Sequence, residues 1–457
     1  MTGTSGRRLQ FGVFFQSANT GTIWSDARSG SQYDFETFRR VAQTAERGLF
    51  SAFFVGEGLR IRENFGQIHD LDIAGRPEAQ TQLSALAAVT SHIGLVATHT
   101  TTFHDPYEVA RRFATLDLLS EGRAGWNVVT TDDAWIGENM RRGGYLDHAD
   151  RYRRAAEFVR GTWRLWDAGA SLIPSKSAHA ACWGQRGNDV IADGKFISFT
   201  APPPLPPTPQ RRPVIFQAGD SDEGREFAAA HADVIFSAHP EFEDSVSFAA
   251  DLRRRLAAYG RHEADVKFFP GQQFVLAATA AEAQEKFEWV THAQISPQTA
   301  LRYLEIIWGR DLSDYDPGGP LPAEDPASEK VTTTRGAALR SKDAVAVARQ
   351  WRAVAAEKSL SIREFVIHQT SRRILVGSYS SVADRLVGYA ESGVVDGFNI
   401  SPYIVPDGLD DIVNGLVPEL QERGIYPTEY PGATLRENLG LPPLTSQEAG
   451  AALGGQR

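Results

Sequence analysis

The feature that most limits the possible folds is a repeated alternation of short apolar runs with longer segments of helical period. Eight runs of strand length begin at Leu9, Ala52, Ile93, Ala124, Val214, Val234, Lys267 and Gly397. Amphipathic segments such as Phe35 to Arg47 and Tyr107 to Leu119 separate the runs. Strands that alternate with helices pair in parallel, and eight such strands close most readily as a barrel. The predicted fold class is therefore α/β, a (β/α)8 TIM barrel with insertions.

The length of 457 residues leaves room for insertions in a single barrel. Residues 9–440 are predicted to form one domain, with insertions at about 167–212 and 280–368, where the regular alternation is interrupted. Long interruptions of this kind in compact domains tend to be functional, so the second is expected to contribute a lid or contacts between copies. Residues 1–8 are predicted to be a disordered N-terminus and 441–457 a C-terminal tail.

Composition restricts the class of ligand and the compartment. The net charge of −10 argues against nucleic acid or anionic lipid as a partner, so small molecules are the expected ligands. The single cysteine, Cys182, cannot form an internal disulfide, and no His/Cys spacing predicts a metal site. No apolar stretch has the length of a signal peptide or a membrane span. We therefore expect a cytoplasmic protein without a metal.

Several common catalytic motifs are absent from the sequence. It contains no Gly-x-Gly-x-x-Gly dinucleotide turn, no phosphate loop ending in Gly-Lys-Ser/Thr and no His-Glu-x-x-His helix. A self-contained dehydrogenase, an ATPase and a zinc protease are thereby disfavoured. In the segment from Gly219 to Gly224 the second glycine is one residue too far along for a nucleophile elbow, so Ser221 is not predicted to be a nucleophile.

Two segments are candidates for holding a phosphate. Gly219, Asp220 and Ser221 form a small turn before a helix, where backbone N–H groups and a hydroxyl favour an anion. Taken alone, the turn is more simply an ordinary helix cap. His148 and Tyr152 lie one helical turn apart, with Arg151 beside them, so they can act on the same ligand. The alternative is a solvated, charged start of a helix.

Polar residues also follow the predicted second, third and fourth strands. Gly56 and Glu57 come after the second strand, Thr98 and Thr100 end the third, and Asn127 lies near the end of the fourth. Active sites of barrels form at the C-terminal ends of strands, and a buried amide such as that of Asn127 requires partners that a ligand can supply. The alternatives are that the threonines are ordinary strand formers and that Glu57 is a turn carboxylate without a task.

Together these segments resemble a known family. The matching stretches are Ala97 to Thr98, Asp105 to Arg111, Ala114 to Asp117, Ser120 to Arg123, Trp126 to Thr130, His148 to Phe158, Gln217 to Gly219 and Thr428 to Arg436. The chain resembles the nitrilotriacetate, dibenzothiophene-sulfone and pyrimidine monooxygenase branch of the luciferase-like superfamily. The likeness extends from Phe11 to Leu441.

The resemblance implies a two-component enzyme that receives reduced FMN from a separate NAD(P)H:flavin reductase. A flavin peroxide formed with O2 would then transfer one oxygen atom to a small organic substrate, either aromatic or containing a heteroatom as in sulfones, halogenated and nitrogen compounds. A homodimer or homotetramer is expected.

Positions of the cofactor site follow from the resemblance and from the turn before the helix. The expected flavin contacts are Gly56, Glu57, Thr100, Asn127, His148, Arg151, Tyr152, Gly219, Asp220 and Ser221. Thr98 and Asn127 match the positions where pyrimidine-cleaving members bind oxygen beside the flavin. Glu57 replaces a common aspartate and Asp220 a common serine. Since a carboxylate beside a phosphate is unfavourable, Asp220 is expected to point away from it.

Two other functions are compatible with the same residues. One is a deazaflavin-dependent oxidoreductase of the same superfamily, which would transfer hydride without oxygen. The other is a flavin-binding barrel without turnover, since a fold does not determine a function. The pairing of Asn127 with Thr98 favours an enzyme.

Overall fold

The computed structural model describes residues 8–15, 21–59, 61, 63–64, 67–68, 75–131, 136, 139–140, 148–172, 186–327, 334–335 and 343–444. Cys182 and most of the two predicted tails lie outside these residues, and for His148 only the backbone is described.

Eight parallel strands form a closed barrel. They are β1 (Gln10–Phe15), β2 (Ala52–Val55), β3 (Gly94–Thr100), β4 (Ala124–Val129), β5 (Val214–Gln217), β6 (Val234–Ser237), β7 (Lys267–Ala277) and β8 (Gly397–Ile400). Strands β1 to β6 pair in sequence order, β8 joins β1 to β7, and β6 pairs with β7 to complete the ring. The predicted (β/α)8 fold class is thus confirmed.

Helices surround the barrel and continue into the second insertion. The described helices are α1 (Phe35–Arg47), α2 (Ala79–Ala87), α3 (Pro106–Leu119), α4 (His148–Ala168), α5 (Asp222–His231), α6 (Phe242–Ala258), α7 (Ala280–Gln294), α8 (Pro297–Trp308), α9 (Ala344–Glu357), α10 (Ile362–Ser371), α11 (Tyr379–Ser392), α12 (Gly408–Asp411), α13 (Val417–Glu422) and α14 (Leu435–Asn438). Within the described part of the chain, none is both long enough and apolar enough to cross a bilayer.

Alternation along each strand divides the apolar residues between two cores. In β1, Phe11, Val13 and Phe15 face the surrounding helices, where the ring of Phe15 lies 4.3 Å from that of Phe38 on α1. Phe14 points the opposite way, into the barrel, 5.3 Å from the ring of Phe54. The two-residue period of a strand therefore determines which aromatic residues reach the interior.

The C-terminal helix α14 closes the N-terminal end of the barrel. Leu435 is fully buried and packs in one cluster with the inward-facing Val96 and Phe216. Glycine at the beginning of two strands makes room for it, since a Cβ atom at Gly125 would lie 3.2 Å from Leu435 Cδ2 and 2.8 Å from Phe216 Cε2. Apolar side chains thus fill the N-terminal end of the barrel.

The second insertion forms a small helical layer above that rim. Its helices α8, α9 and α10 share their own apolar cluster, which includes Leu304, Trp308 and Phe365. A ninth parallel strand, Ile374–Ser378, pairs with the second half of β7, from Gln273 to Ala277. The first half of β7 belongs to the barrel ring, so this one strand connects the barrel with the layer.

We expect Leu435→Ala to lower the free energy of unfolding by about 2–5 kcal/mol, because it leaves a cavity at the closed end of the barrel. The matched control is Leu119→Ala, at a leucine that is 57% exposed on α3, which should change stability by less than about 0.5 kcal/mol. Denaturant unfolding of both variants measures the difference. Equal losses would show that α14 does not close the barrel in solution.

Candidate active site

At the rim of the barrel, β3 and β4 bring Thr98 and Asn127 side by side in parallel register. Asn127 Nδ2 donates a hydrogen bond to Thr98 Oγ1 over 3.0 Å, and the Thr98 hydroxyl donates to the Val55 carbonyl oxygen over 2.9 Å. Since the hydroxyl hydrogen of Thr98 is already used by β2, the threonine holds Asn127 in place and does not itself offer a donor.

Asn127 retains unused hydrogen-bonding capacity in the barrel mouth. The residue is 4% exposed, and its Oδ1 atom has no hydrogen-bond partner among the described residues. An unsatisfied buried amide oxygen costs free energy, commonly about 1–3 kcal/mol, which a ligand donor recovers. Asn127 therefore presents an acceptor, and the second hydrogen of its amide, to whatever occupies the mouth.

The hydroxyl of Thr100, the second candidate threonine of this rim, is hydrogen-bonded within the protein. Its buried hydroxyl accepts hydrogen bonds from the backbone N–H of Thr102 over 3.1 Å and of Thr131 over 3.3 Å. The Thr131 hydroxyl also donates to it over 2.9 Å. Thr100 thus connects the loops that follow β3 and β4, and it shapes the wall of the mouth.

Gly56, immediately after β2, lies in close contact with two side chains at the mouth. A Cβ atom there would be 2.6 Å from Arg76 Nη1 and 3.0 Å from Phe14 Cε2. Glycine is thus required for the half-buried guanidinium of Arg76 to reach the rim beside the inward-facing Phe14. This cation is a feature of the mouth that the sequence interpretation did not include.

Glu57 belongs to a group of charges behind the rim. Burial raises the pKa of Glu57 to about 7; the nearby Glu78 carboxylate adds to the increase, whereas His99 and the N–H of Ala79 oppose it. Burial also works against ionisation of Glu78, but His99, 3.7 Å away, and the N–H groups of α2 outweigh it and lower its pKa to about 2. The two carboxylates therefore differ sharply in protonation near neutral pH.

The turn between β5 and α5 meets α4 at Tyr152. A Cβ atom at either Gly219 or Gly224 would lie 2.9 Å from the Tyr152 hydroxyl oxygen, so only glycines permit this approach. Ser221 caps α5, since its hydroxyl accepts from the Gly224 N–H over 3.1 Å. The structure thus brings Tyr152 to Gly219 and Ser221, which lie far from it in the sequence, at a helix N-terminus.

The Asp220 carboxylate is directed toward the side chains of Arg225 and His239. It accepts from Arg225 Nη2 over 2.8 Å and contacts His239 Nε2 at 2.9 Å. The Arg225 guanidinium therefore compensates the negative charge of Asp220.

Two arginines of α4 differ in their environment. Arg154 donates to the carbonyl oxygens of Thr101 over 2.9 Å, His104 over 3.1 Å and Phe196 over 3.0 Å, and so ties α4 to the loop after β3. Arg151 is 6% exposed, and burial lowers its pKa. A buried guanidinium beside Tyr152 favours an anionic ligand. The side chain of His148 lies outside the described residues.

Two further amides of the rim were missed in the sequence interpretation. The buried Oε1 of Gln217, on β5, and Oδ1 of Asn399, on β8, have no hydrogen-bond partner among the described residues. The Asn399 side chain extends over Gly12 of β1, where a Cβ atom would lie 3.1 Å from its Oδ1. In the sequence, both residues could have been found as amides near the end of an apolar strand, which is the pattern that identified Asn127.

Taken together, the fold and the rim define a (β/α)8 barrel with a glycine-containing turn after β5 and buried amides in its mouth. The sequence model of the luciferase-like monooxygenase family matches residues 9–396. The chain belongs to this family, and both the predicted family and the predicted enzyme class, a flavin-dependent monooxygenase, are confirmed.

Individual relatives extend along almost the whole chain. Nitrilotriacetate monooxygenase component A of Aminobacter aminovorans is 34% identical over 95% of this chain and 97% of its own length. Dibenzothiophene-sulfone monooxygenase of Rhodococcus erythropolis is 32% identical over 96% of this chain and 98% of its own. Among solved structures, a riboflavin lyase with modified FMN and riboflavin superposes with a TM-score of 0.77 at 28% identity, covering 98% of this chain and 100% of that one.

The raised pKa of Glu57 predicts a pH-dependent difference in stability. The folded carboxyl keeps its proton up to a pH of about 7, whereas the unfolded one releases it near 4.5. Wild-type stability therefore falls as pH rises through this window, and Glu57→Gln, which cannot ionise, should gain relative to wild type between pH 5 and pH 8. Denaturant unfolding at both values measures the gain.

The control for this experiment is Glu422→Gln, at an exposed glutamate on α13. It should show the same difference from wild type at both pH values. A Glu57→Gln difference that is likewise constant would mean that Glu57 titrates normally in the folded protein.

Proposed function

We propose that this chain is the oxygenating component of a two-component system. It binds reduced FMN that a separate NAD(P)H:flavin reductase provides, and it uses O2 to add one oxygen atom to a small organic substrate. We place both proteins in the cytoplasm and expect the oxygenase to act as a homodimer or homotetramer.

The observation that carries this proposal is the convergence at the β5–α5 turn. At the N-terminus of α5 the Tyr152 hydroxyl meets Gly219 and Gly224, so donors of the helix and of the tyrosine share one small surface. Such a surface binds a phosphate through N–H groups and the helix dipole. The buried Arg151, next to Tyr152 on α4, adds the positive charge that a phosphate dianion requires.

The ring of the flavin would lie over the barrel mouth. Asn127 Oδ1 can accept from an N–H of the reduced ring, and the amide hydrogen that Thr98 does not use can donate to oxygen. Reduced FMN, when bound, supplies the two electrons that, with two protons, convert one atom of O2 to water while the other is added to the substrate. The residues of the rim orient the reactants and exclude water.

The relatives support the same assignment. One is described as component A of a monooxygenase, which implies a further component, and the solved riboflavin lyase contains modified FMN. The sequence also has no dinucleotide turn, which agrees with delivery of electrons from NAD(P)H by another protein.

Tyr152→Phe should weaken the binding of reduced FMN by about tenfold, because it removes one hydrogen bond to a charged group. Tyr107→Phe, at an exposed tyrosine on α3, is the control and should bind like wild type. Anaerobic titration followed by protein fluorescence measures both affinities, with NADH titrated in parallel. Tight NADH binding without flavin binding would contradict the proposal, and unchanged affinity in Tyr152→Phe would remove Tyr152 from the site.

Asn127→Ala should still bind flavin but lose product formation by about 10²- to 10³-fold, because a preorganised donor is removed from a site that excludes water. Thr98→Val should show a smaller loss, since Thr98 acts by holding Asn127, and Thr98→Ser should restore it because the hydroxyl returns. The measurement is product formed per reduced flavin supplied, together with oxygen consumption.

Two results would overturn the role of this pair. Wild-type coupling in both Asn127→Ala and Thr98→Val would make the residues ordinary wall of the pocket. Substrate turnover without any oxygen consumption would instead indicate hydride transfer of the deazaflavin type.

A further inference from the structure

A cavity adjoins the barrel mouth over the ends of β6, β7 and β8. Its volume is about 690 Å³, a size suited to a small organic ligand. The floor consists of the C-terminal ends of barrel strands, at Ser237 of β6, Gly271 of β7 and Ser401 after β8. The roof consists of the inserted helices α8, α9 and α10. The cavity therefore lies between the catalytic rim and the insertion.

One wall of the cavity is aromatic and rigidly supported. The rings of Tyr303 on α8 and Trp351 on α9 are stacked, with centroids 5.7 Å apart and planes at 17°. Behind them, Trp351 packs on Trp308 at 6.2 Å and on Phe365 at 5.3 Å. A wall held in this way offers a flat apolar surface to the body of a ligand at little cost in conformational entropy.

Two adjacent arginines at the end of α10 give another part of the cavity a positive charge. Arg372 and Arg373 line the cavity, and both are exposed to solvent. Arg373 is anchored, since its Nη1 donates to the Ala238 carbonyl oxygen over 2.7 Å and its own carbonyl accepts from Gln272 Nε2 over 2.8 Å. The loop that carries both guanidinium groups is thus fastened to the barrel rim.

Among the described residues, no acidic side chain faces these two arginines. The described residues that line the cavity include no aspartate or glutamate, although the whole chain has 57 acidic residues against 47 lysines and arginines. Within the described part of the chain, neither Arg372 nor Arg373 forms an ion pair. Burial raises the pKa of Tyr303 while the two arginines oppose the increase, so the phenol remains a neutral donor within reach of their field.

We propose that this cavity selects substrates that combine a planar or apolar body with a carboxylate. The body packs on Tyr303 and Trp351, and the carboxylate binds Arg372, supported by Arg373. Arginine suits this task because its fork of donors matches the two oxygens of a carboxylate. The inference rests on the proposed function in that the ligand held here is the compound to be oxygenated. It assigns the choice of substrate to the second insertion and the choice of cofactor to the β5–α5 turn.

The test compares a carboxylate with its neutral amide. 2-Naphthoate and 2-naphthamide have the same ring system, and calorimetric titration of the purified full-length protein measures the affinity of each. Wild type should prefer the acid. Arg372→Gln should weaken naphthoate binding by about tenfold while leaving naphthamide unchanged within about twofold.

Arg349→Gln is the matched control, because Arg349 is an exposed arginine of the same insertion that does not line the cavity. It removes the same charge and should leave both affinities unchanged. If Arg349→Gln weakens naphthoate binding as much as Arg372→Gln does, the preference reflects net charge and the inference is wrong. Equal affinity for the acid and the amide, or no binding of either, also overturns it.

Titration of reduced FMN on the same samples separates this inference from the proposed function. Arg372→Gln should bind FMN like wild type, because Arg372, at the end of α10, is not among the residues proposed to hold the flavin. Absent flavin binding with a retained preference for naphthoate counts against the proposed function and supports the acid selectivity of the cavity. Normal flavin binding without a preference for the acid overturns the inference alone.

Discussion

Closure of the sheet at β7 is the constraint on which the rest of the structure depends. This strand, Lys267–Ala277, pairs with β6 through its first residues and with β8 through Gly271 and Gln272. Once the ring is closed, the C-terminal ends of all eight strands meet at one rim, and the loops after them must surround one mouth. Residues as distant in sequence as Phe14, Thr98 and Asn399 then share a single site.

Within the closed ring, polarity changes from one end to the other. The lower layers contain apolar side chains such as Val96, Phe216 and Leu435. The upper layer contains glycine, threonine and amide residues, and Asn127 Oδ1 is buried there with no hydrogen-bond partner in the described part of the chain. Burying an unsatisfied polar atom lowers the stability of the protein, and a ligand that bonds to this atom would recover that loss. The apolar layers below compensate by hydrophobic burial.

The second half of β7 connects the barrel with the inserted helices. By pairing with Ile374–Ser378, it fastens the inserted helices to the rim and places Arg372 and Arg373 at the edge of the mouth. The insertion has its own apolar cluster, so its inner surface can change without disturbing the barrel core. Relatives that share this fold act, by their names, on compounds as different as nitrilotriacetate and dibenzothiophene sulfone. Variation in such a layer is a physical means of changing substrate while the cofactor site is retained.

The sequence by itself determined the eight strands, the fold class and the polar character of the rim. These features follow from local periodicity and from amides near the ends of apolar strands, such as Asn127. Both can be recognised within a single segment of the chain. Tertiary structure alone decided which partners those residues contact. The Thr98 hydroxyl donates to the Val55 carbonyl oxygen, and the Asp220 carboxylate contacts Arg225 and His239. The Arg76 side chain lies against Gly56. Tertiary structure also decided that Tyr303 and Trp351 stack beside Arg372. The physical reason is that hydrogen bonds and ion pairs depend on distances between segments far apart in sequence, which are set only when the barrel closes.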